Sequence, residues 1–500
     1  MARHHGGVSA RKGQRSRDRL DRYHEKRDFA ATPEPAGDPG GDGTKGRFVI
    51  QEHHARRLHW DLRLEHDGVL LSWAVPRGIP PDPKRNNLAV HTEDHPLEYL
   101  EFEGEIPKGQ YGAGTMRIWD RGTYDAEKFE EAKVIMTFDG ERVQGKYALF
   151  QTKGDNWMIH RMDPPVDSAR EPMPRGLKPM MATLSTTLPR DDGTWAYEIK
   201  WDGVRAIAYC DGGHLRLESR RLREITSHYP ELRSLAVELG ARQAVLDGEV
   251  VAFDGAGRPS FERLQGRINL ASEAAVRRRM ADCPVTYLVF DLLYLDGRSL
   301  IDLPFTERRE RLEELSLDGP NWQTPSYHRG EGKALLRLTQ ERGLEGLVAK
   351  RLDSRYLPGR RARAWLKVKN TRSQEFVIGG WLPGKGRRAA TIGALLVGYH
   401  DEDDGGRLRY AGRVGTGFSD AELDRLSGLL EPLRTPESPF DGRQPPREAV
   451  FVEPRRAAEV AFREWTAAGT LRAPVYKGLR PDKDPGEVVR EREQPPPPPG

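Results

Sequence analysis

A single lysine, Lys200, stands where an apolar strand meets a turn in the stretch TWAYEIKWDGVRAIAY. Alternation predicts a strand that carries Glu198 and Lys200 on one face, followed by a turn at Asp202-Gly203 and a second strand that completes a hairpin. A lysine held in this way can act as a nucleophile on phosphorus. The same pattern is equally typical of a surface hairpin with a solvated lysine, because lysines are common on edge strands.

A second group of reactive residue types lies in the stretch QEHHARRLHWDLRLEHDG. Alternation places His59, Asp61 and Arg63 on one face and the intervening apolar residues on the other. Two histidines and an aspartate can coordinate a transition metal, and an arginine can bind phosphate. His53 lies six residues before His59, and the stretch EDHP supplies His95. Paired strand histidines are more often structural, so a metal site is one of two interpretations of this pattern.

The elements that must position these residues follow from pattern and composition. Short alternating segments broken by Gly, Pro and Asp predict a β-rich first domain, and strands mixed with helices predict an α+β second domain. Strands with one helical insert, SDAELDRLSGLLEPL, predict a small third barrel. We therefore expect a multidomain α+β chain divided into a basic flexible tail (1–24), a β-barrel-like domain (25–165), a linker (166–180), an α+β domain (181–370), a β-barrel (371–487) and a Pro-rich tail (488–500).

Length and composition limit the class of protein. Five hundred residues exceed what one core usually serves, so several domains are expected. Cys210 and Cys283 are the only cysteines, which excludes a disulfide framework and a multi-cysteine zinc module. No apolar run reaches the roughly eighteen residues of a membrane span, and no signal peptide is evident, so we expect a cytoplasmic protein. The net charge is only +4, but basic clusters such as GRRARAWLKVKN indicate nucleic-acid binding.

Five stretches follow the lysine stretch in a fixed order. With it they make six motifs whose order resembles that of the covalent nucleotidyltransferases, the superfamily of ATP-dependent DNA ligases, RNA ligases and capping enzymes. The five are SRRLREIT (219–226), LDGEVVAFD (246–254), YLVFDLLYLDG (287–297), EGLVAKR (345–351) and WLKVK (365–369).

The resemblance implies that Lys200 carries AMP as a phosphoramidate. An attacking lysine must be neutral, and because its reference pKa is about 10.4, burial and nearby cations must lower it. Arg205, Lys367 and Lys369 are the candidate cations, and alternation in WLKVK puts both lysines on one face, where they can hold the α-phosphate. The other implied roles are nucleotide binding by Glu198, contacts to phosphate and the nucleic-acid end by Arg205 and Arg220, ribose binding by Glu249, adenine stacking by Phe290 and metal placement by Glu345.

The resemblance also implies cofactors and a closing domain. A hard cation, Mg²⁺ or Mn²⁺, would neutralise the triphosphate and help pyrophosphate leave. NAD-dependent ligases carry a four-cysteine zinc module that two cysteines cannot form, so we expect ATP. The barrel after residue 371 matches the OB domain of ligases, and YKGLRPDKDPG resembles their final motif. Arg480 and Lys483 would therefore approach the departing pyrophosphate when this domain closes.

The first domain has a resemblance of its own. HHARRLHWDLRLE, SWAVPRG, EDHPLEY and EGEIPKGQYGAG together resemble the 3′-phosphoesterase domain of bacterial ligase D, an end-joining ligase that works with Ku. This implies a Mn²⁺ site with His53, His59 and Asp61 as ligands, and His95 and Arg63 acting on the phosphate. The further site candidates are Arg27, Asp28 and Glu34 in KRDFAATPEP, which would then be ordered, together with Arg77 and Tyr99.

Two residues depart from the phosphoesterase pattern. Arg77 stands where the family commonly has the lysine of VPKG, which keeps the charge and changes its geometry. Asn87 stands where a basic residue is expected, and Lys84 or Arg85 is the nearby substitute.

These domains in this order predict a DNA end-repair ligase. The first would remove 3′-phosphates or 3′-terminal ribonucleotides, and the second would activate the 5′-phosphate with AMP and seal DNA ends and nicks. We expect a monomer that is nucleoid-associated in a bacterium, with Ku as a candidate partner. The primase-like polymerase that ligase D usually carries has no room in 500 residues, so a separate chain would supply it or the protein fills no gaps.

Two other classes remain open at this point. An RNA ligase or capping enzyme would share the adenylation chemistry, and sealing of nicked DNA compared with nicked RNA would separate it from a DNA ligase. A non-catalytic scaffold that binds DNA ends is the second alternative, and Lys200 with its motif partners argues against it.

Overall fold

The computed structural model describes residues 19–36, 46–165, 167–268, 270, 272–384, 391–401, 405–466 and 468–491. The other parts of the two predicted tails, 1–18 and 492–500, lie outside the described residues. The prediction of a flexible tail is wrong for residues 19–24, because helix α1 (Asp21–Glu25) buries Tyr23 in an apolar cluster with Tyr99. It is also wrong for residues 488–491, where Val488 is buried in the third domain.

Nine strands form the first domain, and eight of them close into a barrel. The sheet order is β1-β2-β3-β4-β9-β8-β7-β6-β5, and β1 also pairs with β6, which leaves β5 outside the closed ring. The strands are β1 (Arg47–His54), β2 (Leu58–His66), β3 (Val69–Val75), β4 (Asn86–His91), β5 (Gly104–Ile106), β6 (Gly114–Glu130), β7 (Lys133–Gly140), β8 (Gln144–Lys153) and β9 (Asn156–Arg161).

Strand β2 confirms the predicted alternation. Trp60, Leu62 and Leu64 lie in the barrel core. The alternate positions therefore face outwards, where α1, the 3₁₀ turn Leu97–Leu100 and the preceding loop cover them. The reactive side chains of β2 are consequently in a sheltered layer on the outside of the barrel.

Two sheets and five helices form the second domain. One sheet has the order β10-β21-β20-β11-β19, and the other has the order β13-β12-β14-β15-β18-β17 with β16 beside β15. The strands are β10 (Met181–Leu184), β11 (Trp195–Ile199), β12 (Val204–Asp211), β13 (His214–Ser219), β14 (Gln243–Ala252), β15 (Val285–Leu295), β16 (Arg298–Ser299), β17 (Asp318–Gly319), β18 (Trp322–Gln323), β19 (His328–Arg329), β20 (Gly346–Arg351) and β21 (Arg361–Lys369). The helices are α2 (Arg233–Glu238), α3 (Phe261–Ile268), α4 (Glu273–Met280), α5 (Phe305–Glu314) and α6 (Gly332–Glu341).

The predicted hairpin around Lys200 is wrong. Strand β11 pairs with β20, with Ile199 opposite Leu347, whereas β12 pairs with β14, with Val204 opposite Val250. The chain therefore crosses from one sheet to the other between these two strands, and Lys200 lies at the seam. Alternation reports which face of a strand is buried and carries no information about its partner, which is why the sequence pattern misled here.

The third domain is a small barrel-like sheet capped by one helix. Its order is β24-β23-β22-β26-β25, and β29 also pairs with β26. Ser419 caps helix α7 by accepting from the Glu422 N–H, and the helix buries three leucines. The elements are β22 (Ser373–Pro383), β23 (Ile392–Asp401), β24 (Arg407–Val414), α7 (Asp420–Leu430), β25 (Arg434–Thr435), β26 (Val450–Ala461), β27 (Glu464–Trp465), β28 (Leu471–Arg472) and β29 (Val475–Leu479). The predicted multidomain α+β class, with a barrel at each side of an α+β domain, is confirmed.

The second domain contacts both of the others. Val237 and Ala241 of the second domain pack against the core of the first barrel, and Arg85 pairs with Asp211 at 3.0 Å. The third domain closes on the second, where the Gln265 amide donates to the Leu479 carbonyl at 2.7 Å. Among the described residues, no helix combines the length and apolar character needed to cross a membrane.

Candidate active sites

Lys200 lines a cavity of about 170 Å³, which lies between the two sheets of the second domain and the third domain. The cavity gathers every residue that the nucleotidyltransferase motifs predict at the nucleotide, although these residues come from seven separate stretches. They are Glu198, Lys200, Arg205, Arg220, Glu249, Phe290, Glu345, Lys367, Lys369, Arg480 and Lys483.

Lys200 is held by a carboxylate at the centre of this cavity. Its Nζ donates to Glu345, and the Lys369 Nζ lies 3.5 Å from the same carboxylate. Burial alone would raise the pKa of Glu345, but Lys200 and Lys369 lower it to about 2. Glu345 is therefore charged at neutral pH, and a metal ion bound there would compete with the Lys200 amine for it.

One wall of the cavity is an aromatic ring that contacts two cations. The Arg205 Cζ lies 4.5 Å and the Lys350 Nζ 4.4 Å from the centre of the Phe290 ring. Arg205 is fixed by two 2.6 Å bonds to Asp247, and Lys350 is 2.7 Å from Glu198. Sequence reasoning missed Lys350 and Asp247 although both lie inside quoted motifs, since only their tertiary partners reveal a role.

Two carboxyl groups in the cavity titrate near neutral pH. Burial raises the pKa of Glu249 to about 7 against the opposing effect of Arg205 and Lys200. Burial, with the neighbouring Glu345, also raises the pKa of Asp202 to about 7. The sequence predicted only a turn role for Asp202, whereas the structure places this residue in the wall of the cavity that contains Lys200.

Strand β21 presents both of its lysines to the cavity, as alternation predicts, while Leu366 and Val368 enter the core. The Lys367 Nζ donates to Glu491 at 2.5 Å, and the Lys369 Nζ donates to the Ser373 carbonyl at 2.7 Å. Burial lowers the pKa of Lys367 to about 8. Glu491 belongs to the stretch predicted as a tail, so its contact with Lys367 could not be foreseen from the sequence pattern.

The third domain places its basic residues at the cavity. Arg480 makes two 2.9 Å bonds to Asp482 and one 2.8 Å bond to Glu459, and its guanidinium lies over Phe261. The Lys483 Nζ is 2.8 Å from Glu375. Arg220 reaches the same region and lies 3.6 Å from Glu487. The chain is therefore in a closed arrangement, with the final motif facing Lys200.

A separate cluster lies on the outer face of the first barrel. One nitrogen or oxygen from each of His53, His59 and Asp61 lies within 4.8 Å of the others. His53 uses Nε2 to bond the Gly112 carbonyl at 2.8 Å, and His59 uses Nδ1 to bond the Arg57 carbonyl at 3.0 Å. Their other nitrogens face Asp61 at 3.4 and 3.6 Å. Carbonyls that hold the remote histidine nitrogens are the usual support for metal ligands, so these residues fit a transition-metal ion.

Arg63 and His95 lie beside this cluster. Arg63 bonds Asp61 at 3.2 Å, Gln51 at 2.7 Å and Ser72 at 2.8 Å. Burial would raise the pKa of Asp61, but Arg63 and the two histidines hold it well below its usual range. Burial, with Arg63 and Arg27, lowers the pKa of His95, so its imidazole is neutral.

The upstream segment completes the cluster. Arg27 bonds Glu34 at 2.6 Å, Glu93 at 3.0 Å and the His95 Nε2 at 3.3 Å, and Tyr99 donates to Glu34. Because the His95 Nδ1 bonds the Glu93 carbonyl at 2.9 Å, its Nε2 is assigned as the acceptor. Residues that sequence reasoning missed here are Gln51, Glu93 and Tyr111, whose exposed ring lies under the Lys26 amine.

Two predicted residues are not brought to the cluster. The Asp28 side chain is exposed, and among the described residues it accepts a hydrogen bond from the Ala30 N–H alone. Arg77 is exposed and lines a different cleft, of about 350 Å³, between the first and second domains. Asn87 is buried and bonds the Gly78 carbonyl at 2.7 Å, so it supports a turn instead of binding phosphate. Of its suggested substitutes, Arg85 pairs with the second domain and Lys84 is exposed.

Family comparisons agree with this geometry. Residues 51–151 match the DNA Ligase D 3′-phosphoesterase domain, residues 178–369 the ATP dependent DNA ligase domain, and residues 388–483 the ATP dependent DNA ligase C terminal region. The three matched models describe the domains of an ATP-dependent DNA ligase that carries a phosphoesterase domain.

Individual relatives of the chain agree with these matches. The chain is 47% identical over 484 residues to the multifunctional non-homologous end joining protein LigD of Mycobacterium bovis, and 45% identical over 489 residues to that of Mycolicibacterium smegmatis; each alignment covers 95% of this chain. A solved mycobacterial DNA ligase D complexed with ATP and MES is 42% identical; the match covers 98% of that structure and 63% of this chain, with a TM-score of 0.47. The chain is therefore similar to DNA ligase D proteins over nearly all of its length. It spans 61% and 62% of the length of the two curated relatives.

Proposed function

We propose that the chain is an ATP-dependent DNA ligase that joins broken ends after its first domain has cleaned their 3′ termini. The observation that carries this proposal is Lys200 in a closed cavity with the complete predicted set of nucleotide residues. In the first step the Lys200 Nζ attacks the α-phosphorus of ATP and pyrophosphate leaves. The AMP then passes to a 5′-phosphate, and the 3′-hydroxyl displaces it to form the phosphodiester.

The residues around Lys200 have roles that suit this chemistry. Lys367 and Lys369 hold the α-phosphate and offset the charge that develops on it. Phe290 stacks on adenine, Glu198 with Lys350 borders the base, and Glu249 binds the ribose. Bound Mg²⁺ or Mn²⁺ would supply charge neutralisation for the triphosphate, and Glu345 is the residue that would help to hold it.

For the first domain we propose a Mn²⁺-dependent 3′-phosphoesterase. His53, His59 and Asp61 would hold the metal, which polarises the phosphate ester when bound. Arg63 is oriented by three bonds and is placed to bind a phosphate oxygen. The neutral His95, with Nε2 as acceptor, is placed to move a proton at the departing group. Arg27, Glu34 and Tyr99 hold this histidine and its surroundings.

DNA ends and nicks are the proposed substrates of the whole protein. Ku and a separate primase-like polymerase are the proposed partners, since the relatives are named for non-homologous end joining. We further propose a monomer associated with the bacterial nucleoid.

Labelling with ATP that carries a tagged α-phosphate tests the nucleophile. The wild type should become labelled, Lys200→Ala should not, and Lys333→Ala, which changes an exposed lysine of the same domain, should label as the wild type does. Label retained by Lys200→Ala would refute the assignment. Sealing of nicked RNA in preference to nicked DNA would refute the proposed substrate.

A nick that bears a 3′-phosphate tests the first domain. With Mn²⁺ the wild type should release phosphate, and addition of ATP should then allow sealing. His59→Ala should lose release, while His214→Ala, at an exposed histidine outside the cluster, should keep it. Phosphate release that survives His59→Ala in Mn²⁺ would remove the proposed site.

A further inference from the structure

A second cavity, of about 460 Å³, adjoins the nucleotide cavity between the second and third domains. The two cavities share Arg480 and Lys483 in their walls. An anion released beside Lys200 can therefore move from one to the other along the same two side chains.

The charge of this second cavity is strongly positive. Its only acidic lining residue is Asp484, against seven basic ones: Arg221, Arg223, Arg425, Arg455, Arg456, Arg480 and Lys483. Such a concentration of cations in a walled space attracts small polyanions.

Three of these cations have no carboxylate within hydrogen-bonding distance among the described residues. Arg425 is 3.2 Å from Glu422 and Arg455 is 2.6 Å from Glu453, and the two shared residues are paired as described above. Arg223 and Arg456 make no ion pair with any described residue, and both are exposed to solvent. Arg221 comes no nearer than 3.7 Å to Asp484.

Arg221 is the most informative of the three. Its Nε and Nη2 are buried and make no hydrogen bond to any described residue. Buried donors without acceptors are rare in folded proteins because each costs desolvation free energy. Burial also lowers the pKa of Arg221, against the opposing attraction of Asp484 at 3.7 Å. An anion in the cavity would satisfy both donors.

We propose that this cavity receives the pyrophosphate produced when Lys200 is adenylated, an inference that rests on the proposed ligase function. As the bond from the Lys200 Nζ to the α-phosphorus forms, the bond from that phosphorus to the bridging oxygen breaks. Pyrophosphate takes the electron pair, and the amine releases its proton to solvent. In reverse, bound pyrophosphate attacks the lysyl-AMP, which regenerates ATP and free Lys200.

The small-anion assignment follows from the position of the cavity. Its walls come from both domains in their closed arrangement, and the shared residues connect it directly to the nucleotide. A DNA phosphate backbone is the other source of phosphate, and it would bind most readily after the two domains have opened. The experiment therefore includes one measurement for each source.

The test is the discharge of labelled lysyl-AMP by inorganic pyrophosphate. The double variant Arg223→Gln/Arg456→Gln should raise the KM for pyrophosphate by about tenfold, as expected for the loss of two solvent-exposed charge pairs that contribute a factor of about three each. The matched control Arg337→Gln/Arg447→Gln removes one exposed arginine from each of the same two domains and should leave this KM unchanged. Transfer of AMP from the charged variant to nicked DNA reports that the protein is folded.

Three results would overturn the inference. One is an unchanged KM for pyrophosphate in the cavity variant, and another is an equal rise in the control, which would indicate a general effect of net charge. The third is a loss of affinity for nicked duplex DNA without any change in the KM for pyrophosphate, which would assign the cavity to the DNA backbone. A wild type that is never labelled by ATP would instead refute the proposed ligase function, so the two failures are distinguishable.

Discussion

The affinity of the free protein for ATP should fall as the pH rises through about 8, because Lys367 loses its proton there. Burial lowers the pKa of Lys367 to about 8, against the opposing attraction of Glu491. Below this pH the ammonium is charged and can hold the α-phosphate. Above it the amine is neutral, and the charge-assisted contact is lost.

The size of this effect follows from proton linkage. If ATP binds only when Lys367 is protonated, the observed dissociation constant for ATP is multiplied by a pH-dependent factor. This factor is one plus ten raised to the power (pH − pKa). Relative to the fully protonated protein, the loss of affinity is therefore about twofold at pH 8 and about tenfold at pH 9.

Equilibrium binding of labelled ATP measures this directly. The background Lys200→Met prevents covalent capture, and the titration runs from about pH 7 to pH 9. Lys367→Arg is the matched control, because a guanidinium stays charged over this range and its curve should be flat. This control also separates the titration of Lys367 from that of Glu249 and Asp202. Both carboxyl groups are present in the two proteins, and their pKa values of about 7 lie below that of Lys367. Curves that decline equally in both proteins, or that are both flat, would refute the reasoning.

Three further changes have defined expectations. Arg308→Met should lower the free energy of unfolding by about 3–5 kcal/mol in urea denaturation, because it leaves the fully buried Asp291 carboxylate without its partner at 2.7 Å; an unchanged midpoint would contradict this. Gln51→Leu should reduce kcat for 3′-phosphate release about tenfold without changing Mn²⁺ affinity, since Gln51 orients Arg63 and not the metal ligands; a parallel loss of metal binding would count against it. Tyr111→Ala should raise the KM for an oligonucleotide 3′-phosphate about tenfold, because its exposed ring is placed to stack on a base, and Tyr111→Phe should restore it.

The gathering of residues around Lys200 could be predicted from the sequence because these residues lie within ordered motifs. Alternation correctly placed Lys367 and Lys369 on one face, since a strand exposes side chains with a period of two. The same rule failed for the hairpin at Lys200, because the period identifies a face and not a pairing partner.

Other parts of the two sites depend on tertiary packing alone. Glu491 lies in a charged, Pro-rich stretch that composition assigns to a tail, yet it is bonded to Lys367. Arg77 carries a charge suited to phosphate and lies in a motif that resembles the phosphoesterase pattern. The fold nevertheless places it at the boundary between the first and second domains. Neither outcome is encoded in local pattern, because each depends on how separate domains meet.

The seam at Lys200 has a consequence for how the protein is made. Ile199 is fixed by Leu347 and Val204 by Val250, so the lysine has no defined position until strand β20 has been synthesised and docked. Pairings of such wide sequence separation form late in folding because the intervening chain must first be ordered. A ribosome-bound chain that stops before β20 would hold the lysine and several of its motifs without forming a reactive amine. Capture of AMP therefore reports that tertiary assembly is complete. The first molecules to carry AMP are those that have finished folding.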